Sequence, residues 1–442
     1  MIMTDAVQAT PQEDAESRMG VGLHKAAARA QEIAQETRVP EFLLGIVLLF
    51  DRHEVGRFPL EAPLLAFLIV VSLLIRPKVR VRGEFAIVAS YLLMLAYVVG
   101  LSVGHGLPWM QRGLRWFMLF WFAMILAEGR FNWKSIVAGF SFSLVFLNIP
   151  FNFTALRSAD YEGFLTGVVG DKNVAGLWYS IAGLTALSLF RSVFTRTSAA
   201  LVFGAAVYFT GSRTSMSAFA VGIVWVLIRN RTDLWVRTAG IGGLVWMLTY
   251  VEGHYARIGV FADRTGTDWF RSMIDAATRE KLATTPWYGS GLNTAWVDVY
   301  TDRSIWFHDS YAALRVEGGW PLFAFILILF IILGAGVFNS KTVSWDATCL
   351  EGAIAVVLVC AWKLGEVFFT VPSFLVLGAA LREHLGGPLS ATSAEVHRWS
   401  WQSAAVPLNA AGEVGSPQGD SISSISRGGV THFPDASVSK GW

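Results

Sequence analysis

The chain has 442 residues, of which 54% are apolar and 15% charged, with a net charge of +2. Soluble domains average about 25% charged residues, so the composition excludes an ordinary soluble protein. Apolar runs near the ~20 residues needed to cross the hydrocarbon core predict an all-α polytopic membrane protein, and the short alternating segments of a barrel are absent. The near-neutral balance gives no sign of a nucleic-acid partner. Cys349 and Cys360 both fall in an apolar segment and form neither a disulfide framework nor a metal-ligand spacing.

In chain order, residues 1–38 are polar and mixed in charge, without a signal-peptide pattern, and carry a helix-prone run at 23–37. They read as a cytoplasmic N-terminal tail. Residues 39–386 hold about twelve predicted transmembrane helices: 40–51, 60–75, 84–104, 113–127, 134–152, 173–190, 198–211, 215–228, 236–250, 310–336, 348–366 and 369–382. One long loop, 251–308, interrupts them. Residues 387–442, rich in Ser, Ala, Gly and Pro, read as a disordered cytoplasmic tail. No internal repeat is visible.

Lys and Arg concentrate in the short loops 76–83, 128–134, 191–197 and 229–235. With twelve spans these fall on one side, which the charge bias makes cytoplasmic. Both termini are then inside and the 251–308 loop outside. Four polar clusters reach that external face: Arg112 with Arg115, Gly170-Asp-Lys-Asn-Val-Ala-Gly176, Gly211-Ser-Arg-Thr-Ser215, and the long loop.

Several charged residues there have two readings each. Arg213, in Thr210-Gly-Ser-Arg-Thr-Ser, fits an interfacial arginine snorkelling to headgroups, or a guanidinium aimed at a phosphate. Residues 267–282 read as an amphipathic helix with Trp269, Phe270, Met273, Ile274, Ala277 and Leu282 as its apolar set. That helix either lies on the membrane or turns Arg264 and Arg271 toward an anionic lipid substrate. His308 opens the next span and fits a capping group or a catalyst. Arg315 and Glu317 lie about two turns further in, where unpaired charge is expensive. At a spacing of seven, His308 and Arg315 are expected on nearly one helix face. Lys363 and Glu366, three apart, are expected to form a structural ion pair. There is no DxD motif in an extramembrane loop, no P-loop and no GxSxG, which disfavours nucleotide-dependent chemistry.

These residues resemble the bacterial O-antigen ligase/polymerase superfamily. Gly211-Ser-Arg-Thr-Ser is similar to its Ser-Arg-Thr turn opening a span, and Pro286-Trp-Tyr-Gly-Ser-Gly-Leu to its Pro-x-x-Gly-x-Gly stretch, with Arg271 at the place of a loop arginine. His308-Asp-Ser-Tyr followed by Glu317-Gly-Gly is similar to its His-Asn-x-(Tyr/Phe)…Glu-x-Gly-x-x-Gly pattern. Gly170-Asp-Lys-Asn-Val-Ala-Gly is similar to a His-Lys-Asn-x-x-Gly turn of exopolysaccharide polymerases. The resemblance covers about 165–335. It departs at Asp171 (His in the family), Asp309 (Asn) and Leu322 (Gly).

The resemblance implies a GT-C-like fold in the bacterial inner membrane. It also implies an inverting, metal-independent glycosyl transfer without a cofactor. The donor would be a polyprenyl-diphosphate-linked glycan and the acceptor a saccharide hydroxyl. Arg213 and Arg271 would hold the diphosphate, with Arg264 in support, and His308 would activate or orient the acceptor. Lys172, Asn173, Asp309, Arg315 and Glu317 would line the substrate site, with Asp309 and Glu317 in reserve as the base. Partners implied are the bilayer, a flippase and a chain-length regulator. The Asp-Lys-Asn turn favours a polysaccharide polymerase. A ligase moving glycan to a lipid A core is the alternative within the family, and an anionic-substrate transporter is the alternative outside it.

Overall fold

The computed structural model describes residues 38–50, 54–55, 58–154, 161–255, 265–300, 303–338 and 342–387. The chain divides into Met1–Leu389 and Ser390–Trp442, and every described residue belongs to the first unit. The expected helix at 23–37, Arg264 and the tail beyond 387 lie outside the described residues.

The structure is 73% helical with few strands. The helices are α1 Val39–Val47, α2 Glu61–Leu73, α3 Glu84–Gly104, α4 Met110–Ala127, α5 Trp133–Ser143, α6 Lys172–Ala186 and α7 Val193–Phe209. They continue as α8 Arg213–Ile228, α9 Leu234–Tyr255, α10 Thr265–Thr284, α11 Ser310–Leu327, α12 Trp345–Ala361 and α13 Val371–Leu385. Wider π-helical turns extend α5 through Leu144–Asn148 and α11 through Ile328–Gly334. Among the short strands, β1 Glu54–Val55 pairs with β2 Phe58–Pro59, and β3 Arg80–Val81 with the last strand, β6 Gly386–Gly387. A hairpin of β4 Trp296–Tyr300 and β5 Arg303–Trp306 precedes α11.

Helix starts follow the capping rule, in which a short polar side chain accepts from orphan amides of the first turn. Asn132, Ser192 and Ser344 do this for α5, α7 and α12. Pro40 and Pro372 sit in the first turns of α1 and α13, where a missing N–H costs nothing.

Each of the twelve apolar segments meets a helix. Among the described residues, three helical stretches are long and apolar enough to cross a bilayer: Glu84–Gly104, Trp133–Phe151 and Ser310–Gly334. Others are apolar but shorter than these three. Val39–Phe50, Glu61–Leu73, Val193–Phe209 and Arg213–Ile228 are apolar helices of 10–17 residues. The starts have a local cause: Ser192 and Ser212 cap α7 and α8, which begin at Val193 and Arg213, ahead of the expected 198 and 215, and the left-handed Gly211 (φ 65°) separates the two helices.

The core is formed by α4, α6, α12 and α13. All of Ala175–Ala186 and of Val371–Leu381 is buried. Backbones approach closely where glycines meet. A methyl on Gly139 of α5 would stand 1.9 Å from the Phe42 carbonyl of α1, and one on Gly222 of α8 would stand 2.9 Å from the Gly352 carbonyl of α12. Small-residue contacts of this kind suit helices that gain little from apolar burial against one another. The outer helices present Phe67, Leu73, Phe85, Phe194 and Trp235 outward. Only 22% of the apolar window of α3 is buried. An apolar outer face is the signature of an apolar surrounding medium.

The polar groups separate to two ends. At one, the four basic loops meet. The amides of Lys78 and Val79 donate to Glu128 O, Lys134 pairs with Asp346 at 2.5 Å, Arg196 stacks 3.9 Å from the Trp345 ring, and Asn230 Nδ2 donates to Val343 O. At the other end, the loops 105–108, 161–173, 210–212, 286–295 and 362–370 meet the start of α11. Asn293 donates to Pro108 O, Ser212 to Asn173 Oδ1, and Ser310 to Leu364 O.

Candidate functional site

The second end carries the residues singled out by the sequence. Helix α10 is amphipathic, as expected, but its apolar face is covered by protein. Ile274 is buried with Ala295 and Val297 of the hairpin and with Phe307, Ala312, Ala313 and Val316, while Phe270, Ala277 and Leu282 pack around them. Trp269 remains exposed. Lys281 Nζ donates to Trp296 O at 2.6 Å and fixes the helix to β4. Trp296 and Trp306, paired across the hairpin, meet edge to face at 4.8 Å.

His308 leaves this hairpin before α11 begins. Asp309 is the N-cap, accepting from the amides of Tyr311 (2.8 Å) and Ala312 (3.1 Å), so the helix starts at Ser310. The expectation that His308 and Arg315 share one helix face is therefore corrected: His308 lies outside the helix. A cap of this kind contributes about 1 kcal/mol. Burial raises the Asp309 carboxyl above its ordinary value, outweighing the two amides that hold it down.

The half-buried His308 titrates below its ordinary value. Burial is the main cause and the Arg271 guanidinium adds to it, while the carboxylates of Asp275 and Asp171 push the other way. His308 therefore stands in the field of α10 and of the turn before α6. Asp275 carried no expectation from sequence; its signal is its place four residues after Arg271, on the same helix face.

The Asp-Lys-Asn turn is a helix start. Asp171 caps α6, accepting from Asn173 N at 2.8 Å and Val174 N at 3.0 Å. Tyr161 OH donates to its other oxygen at 3.3 Å. Lys172 lies 5.3 Å from the Tyr161 ring and 4.9 Å from that of Phe164. Asn173 Oδ1 accepts from Ser212 Oγ at 3.3 Å. Ser212 caps α8, whose first residue is Arg213. Two helix N-termini thus abut, and a methyl on Gly176 would stand 2.6 Å from Ser215 Oγ. Positive dipole ends and a guanidinium together favour an anion. Lys172, Asn173 and the start of α8 at Arg213 are joined by these contacts, and His308 and Arg271 are linked to them through the field of Asp171.

Arg315 and Glu317 are engaged elsewhere. Arg315 Nη1 donates to Pro286 O at 3.0 Å and stacks on Trp320. Glu317, 1% exposed, is 3.0 Å from Arg112 and also accepts from Asn293 N at 2.9 Å. Arg112 reaches Glu366 as well (3.0 Å), and Arg115 joins Glu366 and Glu61 at 2.9 Å each. Lys363 and Glu366 do not lie on one helix, because α12 ends at Ala361; Lys363 lies beside the Trp362 ring.

The Pro286-Trp-Tyr-Gly-Ser-Gly-Leu stretch clasps a break in α11. Gly319 is at φ 67°, ψ −162°, outside helical geometry. Ser290 N donates to Val316 O (2.7 Å), Gly291 N to Glu317 O (2.9 Å) and Trp320 N to Trp287 O (2.8 Å). A methyl on Gly319 would lie 2.1 Å from Trp287 O, and one on Gly289 2.5 Å from Gly319 N. The two glycine motifs are thus mutual packing partners.

No protein-family model matches the chain, and no curated protein shows significant similarity to it.

Proposed function

We propose that the chain is a membrane glycosyltransferase that polymerises polyprenyl-diphosphate-linked saccharide units at the external face of the bacterial inner membrane. In this reading it crosses the membrane twelve times in a GT-C-like arrangement, with the basic end cytoplasmic. The observation that carries it is His308 held in the field of Arg271 and of the Asp171 turn, with Arg213 joined to that turn through Ser212 and Asn173.

The chemistry needs three things from the protein. The acceptor hydroxyl oxygen bonds to the anomeric carbon of the donor as the bond from that carbon to the diphosphate breaks. The hydroxyl proton passes to the neutral imidazole of His308, whose lowered proton affinity keeps it unprotonated near neutral pH. Negative charge collects on the departing diphosphate, where Arg213 and Arg271 receive it; fixed charge aimed at developing charge is worth most where water is scarce. Arg315 and Glu317 hold the clasp and the ion-pair network in this reading, and Asp309 holds the helix start.

Two experiments test it. In spheroplasts, an impermeant thiol reagent should label Ser272→Cys and spare Arg80→Cys; both positions are exposed, and the two natural cysteines are buried. The reverse pattern puts the site on the wrong side. Glycan analysis of a deletion strain should then find single unpolymerised units. Full-length lipid-linked chains that are never attached would assign the protein as a ligase.

A further inference from the structure

The basic end holds a second feature that glycosyl transfer does not use. Between the end of α8 and the start of α9 lies a cavity of about 300 Å³ lined by Arg229, Arg231, Asp233, Arg237, Phe338 and Thr342, among others. Arg229 is 2% exposed and already matched: its Nε is 2.5 Å from Glu351 Oε2, which also accepts from Trp225 Nε1 at 2.9 Å. Glu351 has its other oxygen 3.5 Å from His384 Nε2. One oxygen of the carboxylate is thus shared by Arg229 and Trp225, and the other has no hydrogen-bond partner among the described residues.

Arg237 is different. It is also 2% exposed, yet its Nε and Nη1 have no hydrogen-bond partner among the described residues. Its guanidinium lies 6.0 Å from the Trp225 ring, and the nearest charges are Arg229, Glu351 and Asp233. A buried guanidinium with two unsatisfied donors is expensive. It is retained at low cost only where an anion meets it. The cavity wall supplies three arginines against the Asp233 carboxylate, and one oxygen of Glu351 is held by Arg229 and Trp225. Phe338, in the lining, is 69% exposed, and Trp235, the neighbour of the lining residue Leu234, is 82% exposed.

We infer that this cavity binds the phosphate of an anionic lipid headgroup, with Arg237 as the bidentate donor and with Trp235 and Phe338 lying along the acyl chains. A planar guanidinium matches a phosphate with two parallel hydrogen bonds, and an apolar rim beside a cationic pocket suits an amphiphile. The inference rests on the chain being a membrane protein and is independent of its catalysing glycosyl transfer.

The test uses the full-length protein purified in an uncharged detergent. Thermal unfolding is followed with phosphatidylglycerol, with phosphatidylcholine, and with millimolar inorganic phosphate. Phosphatidylglycerol is expected to raise the midpoint by preferential binding to the folded state, and phosphatidylcholine to leave it unchanged. Arg237→Gln should weaken the apparent lipid affinity about tenfold or more, with Arg237→Lys intermediate. The unliganded midpoint of Arg237→Gln should hold or rise, because an unpaired buried charge has been removed. Arg76→Gln, an exposed arginine of the same end, should keep the full response. Arg231→Gln, at the exposed rim, gives the same readout should Arg237→Gln not fold. An equal shift with inorganic phosphate keeps the anion site and assigns it to soluble phosphate. An undiminished lipid response in folded Arg237→Gln, or in Arg231→Gln should Arg237→Gln not fold, or an equal response to phosphatidylcholine, overturns the inference.

Discussion

Two groups of arginines at one end of the molecule stand in different surroundings. Arg112 and Arg115 enter the body from α4 and meet three carboxylates, Glu61, Glu317 and Glu366, each from a different part of the chain. Arg271 instead acts on His308 through its field, and Arg213 heads a helix whose cap touches the Asp171 turn. Charge matched by buried carboxylates holds elements together. In the proposed function, charge near a histidine and two helix N-termini serves a ligand instead. Both groups are arginines at the same end of the molecule; the surroundings separate them.

The largest effect should come from breaking the first group. Glu317→Ala leaves Arg112 with Glu366 alone and exposes the Asn293 amide to an unmet bond. Removing one partner of a buried pair costs about 3–5 kcal/mol, so the protein should fail thermal-shift and detergent-stability measurements. A stable Glu317→Ala protein that has lost only activity would move Glu317 from the scaffold to the chemistry.

His308→Gln should fold normally and lose about 10²–10⁴-fold in transfer rate, the usual worth of a general base. The pH profile supplies the sign. The folded-state proton affinity of His308 is below the ordinary value near 6.5. Neutral imidazole therefore persists below pH 6.5, and the rate should fall only on the acid side of that value. A profile still flat where His308 is protonated gives it a positioning role.

Arg271→Ala and Arg213→Ala should each lose about 10²–10³-fold in turnover, the worth of one donor to developing charge, with unfolding midpoints near wild type. Lysine at either position should restore part of the rate, since an ammonium lacks the planar fork. Full restoration by lysine would mean that only general positive charge is required.

The smallest effect is expected at the caps. Asp171→Ala and Asp309→Ala should each lower stability by about 1 kcal/mol, and asparagine should recover most of it. A loss of transfer in Asp309→Asn with an unchanged midpoint would give that carboxylate a chemical role besides the cap.

The sequence discloses what is local and periodic. Twelve apolar segments meet helices because hydrophobic runs and capping residues act within a few positions. The amphipathic character of α10 is legible for the same reason. Its burial against Val297 and Val316 is not, because an apolar face reads alike whether lipid or protein covers it. Arg112 and Glu317 are 205 positions apart, and no spacing rule joins them. Lys363 and Glu366 mislead for a related reason: three residues apart implies one helical turn only if the helix continues, and it stops at Ala361. Arg271, His308 and the Asp171 turn are each visible as residue types. Their convergence depends on how α10 docks on the hairpin.

The break at Gly319 also bears on biogenesis. An interrupted helix frees backbone carbonyls, and in hydrocarbon these must be met from within the protein. Here the amides of Ser290 and Gly291 meet those of Val316 and Glu317. The partners precede the break in the chain, so they leave the ribosome first. If 286–292 crosses the membrane ahead of α11, the amides are waiting when the bent segment arrives. The stretch then serves as a splint laid down before the fracture, and α11 acquires its final shape only after that loop is in place.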